Sequence, residues 1–210
     1  MTTEEIVNRD LGIMQGQNAI LTVQGYGNAV NGNGKGGVTI LDDDTFVLED
    51  VSSWSGFSGV GITNAGTLEI AANNYTNTIG NSVVNNGALN ITGEKTVTFQ
   101  EDVTGSGNVT VSTTSEFEKL LDQTSLTIDS GIVSINASNL YLDNAVTNAG
   151  KLELAGGTLS VGVTGDNGVI ELSDSLVLNA DITGKLLDLK NKNLTIGSGT
   201  LTVSELSSEG

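Results

Sequence analysis

The chain has 210 residues, of which 25 are acidic and 8 are basic, giving a formal net charge of −17. It contains no histidine, cysteine or proline, which excludes disulfides and any catalysis or metal ligation by histidine or cysteine. Because there is no basic patch and no apolar run near the roughly 18 residues that span a bilayer, we expect no nucleic-acid partner and no membrane insertion of this segment.

Residues 1–18 precede the first regular pattern and are predicted to form a separate N-terminal segment, with a short helix over 3–9. The segment lacks the basic and apolar regions of a signal peptide. If the protein is exported, the chain is therefore expected to be a fragment of a longer one. Residues 204–210 carry no apolar cap, which predicts further structure beyond them.

From residue 19 onward the chain repeats with a period near 20 residues. The pattern at 62–70, Ile-Thr-Asn-Ala-Gly-Thr-Leu-Glu-Ile, recurs in related form at 83–91 and 146–154. In every repeat a turn position, usually glycine, is followed two and four positions later by aliphatic residues, which is the alternation of a β-strand. The turn positions in this phase are Ala19, Gly36, Gly66, Gly87, Gly107, Gly131, Gly150, Gly168, Lys185 and Gly199.

Two further apolar sites follow in many repeats, so each repeat is predicted to hold three short strands. One such coil cannot bury its aliphatic residues alone, whereas stacked coils bury them and pair every strand above and below. Because parallel crossovers are nearly always right-handed, the predicted fold is an all-β, right-handed parallel β-helix (β-solenoid) of about ten coils of roughly 20 residues. Residues 19–210 then form a single domain, with residues 1–18 as its cap.

Two segments interrupt the period. The interval from Gly36 to Gly66 is predicted to be a loop or an irregular coil, and at least one of its aromatic rings, Trp54 or Phe57, is expected to pack over the side of the solenoid. Alternatively, both rings are exposed and stack on sugars or on a protein partner. The segment 115–122 combines a capping-box pattern with apolar residues on one helical face, which predicts a short helical insert.

Asparagines precede the turn in several repeats, where stacked coils place like residues over one another. We interpret Asn64, Asn85, Asn86 and Asn148 as structural corner residues, because asparagine tolerates left-handed backbone and hydrogen-bonds along a stack. Asp42–Asp44 is the densest group of carboxylates. We interpret it as a solvated acidic turn, and calcium ligation by its oxygen atoms is the alternative.

No set of residues converges on a catalytic site, so we assign no catalytic, cofactor-binding or metal-binding residues and predict that the chain is not an enzyme. Carboxylate pairs can perform acid–base chemistry, as in β-helical enzymes that act on polysaccharides. Such enzymes also need a cation beside the developing negative charge, and the only arginine, Arg9, lies outside the repeats. Threonines such as Thr96 and Thr98 do not indicate an ice-binding surface, because coil lengths vary too much for a matched lattice.

The stretch 66–78, Gly-Thr-Leu-Glu-Ile-Ala-Ala-Asn-Asn-Tyr-Thr-Asn-Thr, resembles the passenger-associated repeat of bacterial autotransporters, whose usual form is close to GTLTLSGANTYTGGT. Residues 99–111 resemble another common form of these passengers. The resemblance covers residues 60–205. It implies a right-handed β-helical passenger, exposed on a Gram-negative surface and commonly adhesive or self-associating.

The sequence therefore predicts an adhesin or stalk segment that is secreted or displayed on the bacterial cell surface, at the outer membrane, with a role in cell adhesion and virulence. The expected partners are a protein or glycan of a host or neighbouring cell, or further copies of the chain, and no cofactor is expected. Two alternatives stay open at this point. One is an enzyme that acts on polysaccharides, and the other is a structural segment of a surface layer or phage fibre, which would share the fold.

Overall fold

The computed structural model describes residues 19–34 and 36–208 and shows an all-β parallel solenoid of about nine turns. In this described part the strand pairings are parallel and join strands of successive coils. The predicted solenoid is confirmed, with one coil fewer than expected, and its right-handed sense stays a prediction. The helix predicted over 3–9 lies outside the described residues.

The strands, numbered β1 to β25 along the chain, stack into three flanks. Flank 1 contains β1 (Ile20–Gln24), β4 (Thr45–Glu49), β7 (Thr67–Ala72), β10 (Ala88–Gly93), β13 (Asn108–Val111), β16 (Ser125–Ile128), β19 (Val146–Asn148), β21 (Val163–Thr164), β23 (Ile182–Asp188) and β25 (Leu201–Ser207). Flank 2 contains β2 (Ala29–Asn31), β5 (Ser53–Ser55), β8 (Asn77–Ile79), β11 (Val97–Phe99), β14 (Ser115–Phe117), β17 (Ile132–Ile135), β20 (Lys151–Leu159) and β22 (Val169–Leu178). Flank 3 contains β3 (Val38–Ile40), β6 (Ile62–Asn64), β9 (Val83–Asn85), β12 (Val103–Thr104), β15 (Leu121–Gln123) and β18 (Leu140–Leu142). The remaining strand, β24 (Leu194–Ile196), pairs with the second half of β22.

From the seventh coil onward, a single strand can continue through a corner, so that its two halves pair on different sides of the coil. In β22, residues 169–171 pair with β23, whereas residues 176–178 pair with β24. In β20 the register shifts after Leu154, and two glycines with positive φ angles follow, which lets the strand bend. The only helical element in the described part of the chain is the 3₁₀ turn Ala137–Asn139, which directly precedes β18.

The inward side chains of the three flanks form one continuous aliphatic core. Strand alternation places them there: in β7, Leu68 and Ile70 are fully buried, while Glu69 between them faces the surface. Each buried aliphatic side chain contributes about 1.5–3 kcal/mol, and each row is covered by the next coil, so the stack rather than the single coil is stable. Ile135 of β17 is one of these inward residues, with an exposure of 2%.

Trp54 and Phe57 are both buried, which confirms that at least one of these rings packs on the solenoid, but they lie inside the core and not over its side. Trp54 belongs to β5 and is fully buried, with its ring edge-on to Phe46 (centroids 5.6 Å apart) and stacked on Phe57 (4.7 Å). The interval 36–66 is not a loop, because β4 and β5 pair with the coils on both sides. Its period was hidden because Asp44 takes the place of the usual turn glycine.

The helical insert predicted at 115–122 is wrong, because β14 and β15 occupy this segment. Ser115 and Phe117 point inward two positions apart, and Phe117 stacks on Phe99 with centroids 4.9 Å apart and rings 3° from parallel. Leu121 is also buried, but it lies on flank 3, beyond a corner. The spacing of four between Phe117 and Leu121 imitates a helical face although each residue belongs to a different strand.

The turn positions identified in the sequence do not all lie at the same corner of the coil. Gly66 precedes a strand of flank 1, Gly131 precedes a strand of flank 2, and Gly36 precedes a strand of flank 3. The long interval that ends at Gly131 arises from this change of corner and not from an insertion. Coil lengths also vary, since only 17 residues separate Val111 from its partner Ile128 in the next coil.

Candidate functional site

The corner asparagines form part of a buried stack of amides inside flank 3. Asn64 Nδ2 donates to Asn85 Oδ1 at 2.7 Å, and Asn85 Nδ2 donates to Gln123 Oε1 at 2.7 Å. Gln123 belongs to the second coil beyond Asn85, and the two meet because Gly105 takes this place in the coil between them. The hydrogen bonds along the stack confirm the structural interpretation of Asn64 and Asn85, but neither residue has the left-handed backbone that was part of it. Sequence reasoning missed Gln123.

Asn148 and Asn86 are corner residues of two different kinds. Asn148 is buried, and its Nδ2 donates to the Val169 carbonyl oxygen at 3.0 Å, but it pairs with Ile128 on flank 1 and therefore stands at a different corner from the amide stack. Asn86 is exposed, and its Oδ1 accepts from the Ser106 amide at 3.1 Å. Both have structural roles, as predicted.

The turn Asp42–Asp44 divides into an exposed part and a buried part. Asp42 and Asp43 are exposed, and Asp43 has a φ angle of +67°. Asp44 is fully buried, and its Oδ1 accepts from the Ala19 amide at 2.9 Å, which corrects the interpretation that the whole turn is solvated. Within residues 19–34 and 36–208, no group of three or more acidic side chains is arranged to hold a metal ion.

Flank 1 carries an outward row of threonines through six successive coils. The row consists of Thr110, Thr127, Thr147, Thr164, Thr183 and Thr202. It stays in register although coil lengths vary, because the corners take up the extra residues. This corrects the argument that variable coil lengths exclude a matched threonine row. Since neighbouring strands lie about 4.8 Å apart, the row presents one hydroxyl at each such step along the rod.

Flank 2 carries a row of carboxylates, Glu153, Glu171 and Asp188, on three successive coils. Two lysines neutralise part of its charge: Lys151 Nζ lies 3.3 Å from Glu171 Oε2, and Lys190 Nζ lies 3.0 Å from Asp188 Oδ2. The hydrogen bond from Lys190 holds the pKa of Asp188 below its ordinary value, although burial acts in the opposite direction. Partly exposed ion pairs stabilise a fold only weakly, so we regard this row as an acidic surface.

A cleft of about 300 Å³ lies at the corner that follows flank 1 in the first three coils. The end of β1, the end of β4 and the turn after β7 each contribute two residues to it. The lining residues are Gln24, Tyr26, Glu49, Asp50, Asn74 and Tyr75, and we call this site the tyrosine cleft. Its volume lies at the lower end of the range of about 300–1,000 Å³ typical of small-molecule sites.

Tyr26 holds its ring out to solvent on a strained backbone. Its φ angle is +50°, a left-handed conformation that disfavours a bulky residue by about 1–2 kcal/mol. Its side chain is 70% exposed, so core burial does not offset this strain. The hydroxyl donates to Gln24 Oε1 at 2.9 Å, which orients the ring. Strained residues that do not serve packing are concentrated at binding and catalytic sites.

Tyr75 rests on the backbone of the same turn. A Cβ atom on Gly27 would come within 2.8 Å of the Tyr75 ring carbons, so only glycine permits this close approach. Gly27 also has a φ angle of +80°, which favours glycine independently. The Tyr75 side chain remains 48% exposed, and the ring therefore forms a supported wall that is open to solvent.

The carboxylates of the tyrosine cleft are held by hydrogen bonds. Burial opposes ionisation of Asp50, but Asn74 donates to it from both its backbone and its side chain at 2.8 Å, and Tyr75 donates its amide at 3.3 Å. These bonds outweigh the burial and hold the pKa of Asp50 below its ordinary 3.8. Glu49 Oε2 accepts from Gln24 Nε2 at 2.7 Å. Asp50 thus fixes the turn that presents Tyr75.

This arrangement favours binding over acid–base catalysis. A carboxyl group that protonates a glycosidic oxygen has a raised pKa, whereas the pKa of Asp50 is lowered. The cleft instead combines two open aromatic rings with amide and carboxylate groups in fixed orientations. Such groups pack against apolar faces and form directional hydrogen bonds.

Sequence reasoning missed the tyrosine cleft and considered exposed aromatic rings only at Trp54 and Phe57, as the alternative to their packing on the solenoid. The alternative in which both of these rings are exposed is wrong, and the exposed rings near this corner are Tyr26 and Tyr75. One local signal was present: a tyrosine between two glycines, at residues 25–27, has no place on a core strand. The assembly of the cleft, however, depends on the register between coils about 25 residues apart.

No protein-family model, curated protein or solved structure matches the chain. Across the described residues, no helix is long and apolar enough to cross a membrane.

Proposed function

We propose that the chain is a non-enzymatic segment of a secreted or cell-surface bacterial adhesin, similar to the β-helical passengers of autotransporters. It serves as a rigid acidic rod whose surface attaches to a protein or glycan of a host or neighbouring cell, or to further copies of the chain. The observation that carries this proposal is the register of the coils, which repeats the same outward side chains along a parallel stack.

Repetition suits attachment because weak contacts that act together give strong overall binding. The threonine row of flank 1 presents a similar polar group on six successive coils. The net charge of −17 keeps such a rod soluble and opposes non-specific association with anionic surfaces. The tyrosine cleft adds a discrete site to this extended surface.

Attachment can be measured with beads that carry the purified chain, applied to cultured epithelial cells and to bacteria that display the same chain. We expect the beads to bind, and we expect lysine substitution of three row residues, Thr147, Thr164 and Thr183, to weaken binding. The matched control substitutes three outward threonines of flank 3 and changes the net charge equally; these are Thr39, Thr63 and Thr104.

The adhesive function is wrong if the wild-type beads attach to neither surface. If the wild-type beads attach but attachment survives both triple variants and loss of the cleft tyrosines, the assignment of the adhesive surface to the threonine row and the tyrosine cleft is wrong. Circular dichroism of each variant before the assay ensures that lost attachment does not reflect an unfolded rod.

A further inference from the structure

We propose that the tyrosine cleft binds an uncharged saccharide. The proposal names a ligand class for one site of the adhesive surface and rests on the proposed function for its biological role. Binding itself depends only on the geometry of the cleft and can be measured separately.

The first argument comes from the two tyrosine rings. Tyr26 is 70% exposed and Tyr75 is 48% exposed, and both line one cleft, so both rings are accessible to a ligand from solvent. Both are held in place, Tyr26 by its hydrogen bond to Gln24 and Tyr75 by contact with the Gly27 backbone. Rigid aromatic faces of this kind pack against the apolar C–H face of a pyranose ring at little entropic cost.

The second argument comes from the polar groups beside the rings. Gln24 and Glu49 are joined side chain to side chain at 2.7 Å, and Asn73 Nδ2 lies 3.4 Å from the other carboxylate oxygen of Glu49. Amide and carboxylate groups in such a network offer both donors and acceptors in fixed directions. Sugar hydroxyls need this combination, because each can donate and accept a hydrogen bond.

The third argument concerns charge. None of the six lining residues is basic, and Glu49 and Asp50 are both acidic. The net charge of −17 adds a repulsive field for anions. Sialic acids, uronic acids and phosphorylated sugars are therefore disfavoured. The competing ligand is an organic cation, which would be attracted by the aromatic faces and by the negative charge. Such a cation would form no hydrogen bonds with the amide groups of the cleft.

The test uses the chain with three uncharged probes: methyl α-D-mannopyranoside, methyl β-D-galactopyranoside and methyl N-acetyl-β-D-glucosaminide. Saturation-transfer NMR detects binding, and titration calorimetry measures its strength. The methyl glycoside of N-acetylneuraminic acid serves as the anionic probe and choline as the cationic probe. We expect at least one uncharged glycoside to bind, and neither charged probe to bind as well.

Variants then locate the binding site. We expect Tyr75→Ala and Tyr26→Asn to weaken glycoside binding about tenfold or more, a loss of the size expected for one aromatic contact. Asparagine suits position 26 because it tolerates the left-handed backbone. The matched control is Tyr141→Ala, which removes a 56% exposed tyrosine from flank 3 and should leave binding unchanged.

Three results would overturn the proposal: no uncharged glycoside binds, choline or the sialoside binds best, or Tyr141→Ala weakens binding as much as the cleft variants do. The bead assay separates this proposal from the adhesive function. Beads that attach to cells although no glycoside binds would refute only the saccharide site. Glycoside binding without any attachment would instead refute the adhesive role.

Discussion

The buried amide stack of flank 3 should contribute measurably to stability, and Gln123→Met tests this. Methionine has nearly the same volume and shape as glutamine, so the core remains filled. The substitution removes the acceptor for Asn85 Nδ2, which is left with one long bond of 3.3 Å to the Asn108 carbonyl oxygen. An apolar side chain fits this column, because Leu142 occupies it in the next coil.

The expected loss follows from the environment of Asn85, which is fully buried. Leaving a buried polar group without its partner costs about 1–3 kcal/mol. We therefore expect Gln123→Met to lower the free energy of unfolding by about 1–3 kcal/mol. Urea denaturation followed by far-UV circular dichroism measures this, and hydrogen exchange shows whether the loss is centred on the third to fifth coils.

Two comparisons make the result specific. Asp122→Asn changes the exposed neighbour of Gln123 and should alter stability by less than about 0.5 kcal/mol. In a double-mutant cycle, Asn85→Leu and Gln123→Met should be coupled by at least about 0.5 kcal/mol, because they remove the same bond. A Gln123→Met variant as stable as wild type, or strictly additive effects, would show that the amide stack does not stabilise the solenoid.

Three further predictions concern the core, a corner and acid stability. Ile135→Asp should lower the free energy of unfolding by more than about 3 kcal/mol, because it replaces a buried aliphatic side chain with a charge. Glu153→Gln, on the surface, should lower it by less than about 1 kcal/mol. Equal effects of the two substitutions in urea denaturation would contradict the inward position of Ile135. Gly105→Ala places a Cβ 2.3 Å from a backbone oxygen of the neighbouring coil and should lower the melting temperature clearly, while Gly36→Ala meets no atom within 4 Å and should not. Asp50 has a lowered pKa, so it binds protons less readily in the folded chain than in the unfolded chain, and its stabilising contribution is present above pH 3.8 and is lost as the pH falls through its lower folded value. Stability measured between pH 6 and pH 3 should therefore decline less in Asp50→Asn than in wild type, and parallel curves would refute this role.

The local alternation of aliphatic residues was sufficient to predict a parallel solenoid. Leu68 and Ile70 alternate with outward residues, and a single coil cannot cover them, so stacking follows from the sequence alone. The corner role of Asn64 was also predictable, because its position before a turn glycine is a local property. These features depend on neighbours only a few residues apart.

The choice of corner could not be predicted in this way. Asn64 and Asn148 stand in nearly identical motifs, yet one lies on flank 3 and the other on flank 1. The motif specifies the shape of a turn and carries no information on which corner of the coil the turn occupies. For the same reason the spacing of Phe117 and Leu121 resembled a helix, although a corner separates their strands.

Sequence by itself determined the class of fold, the aliphatic core and the acidic surface of the rod, because alternation and composition are properties of the local chain. Only the tertiary structure decided which residues of different coils meet. The tyrosine cleft joins residues 24 and 26, 49–50 and 74–75, and Gln123 reaches Asn85 across the coil that lies between them. The number of residues in each intervening corner determines which residues of successive coils are aligned. The sequence pattern within a single coil does not reveal this alignment.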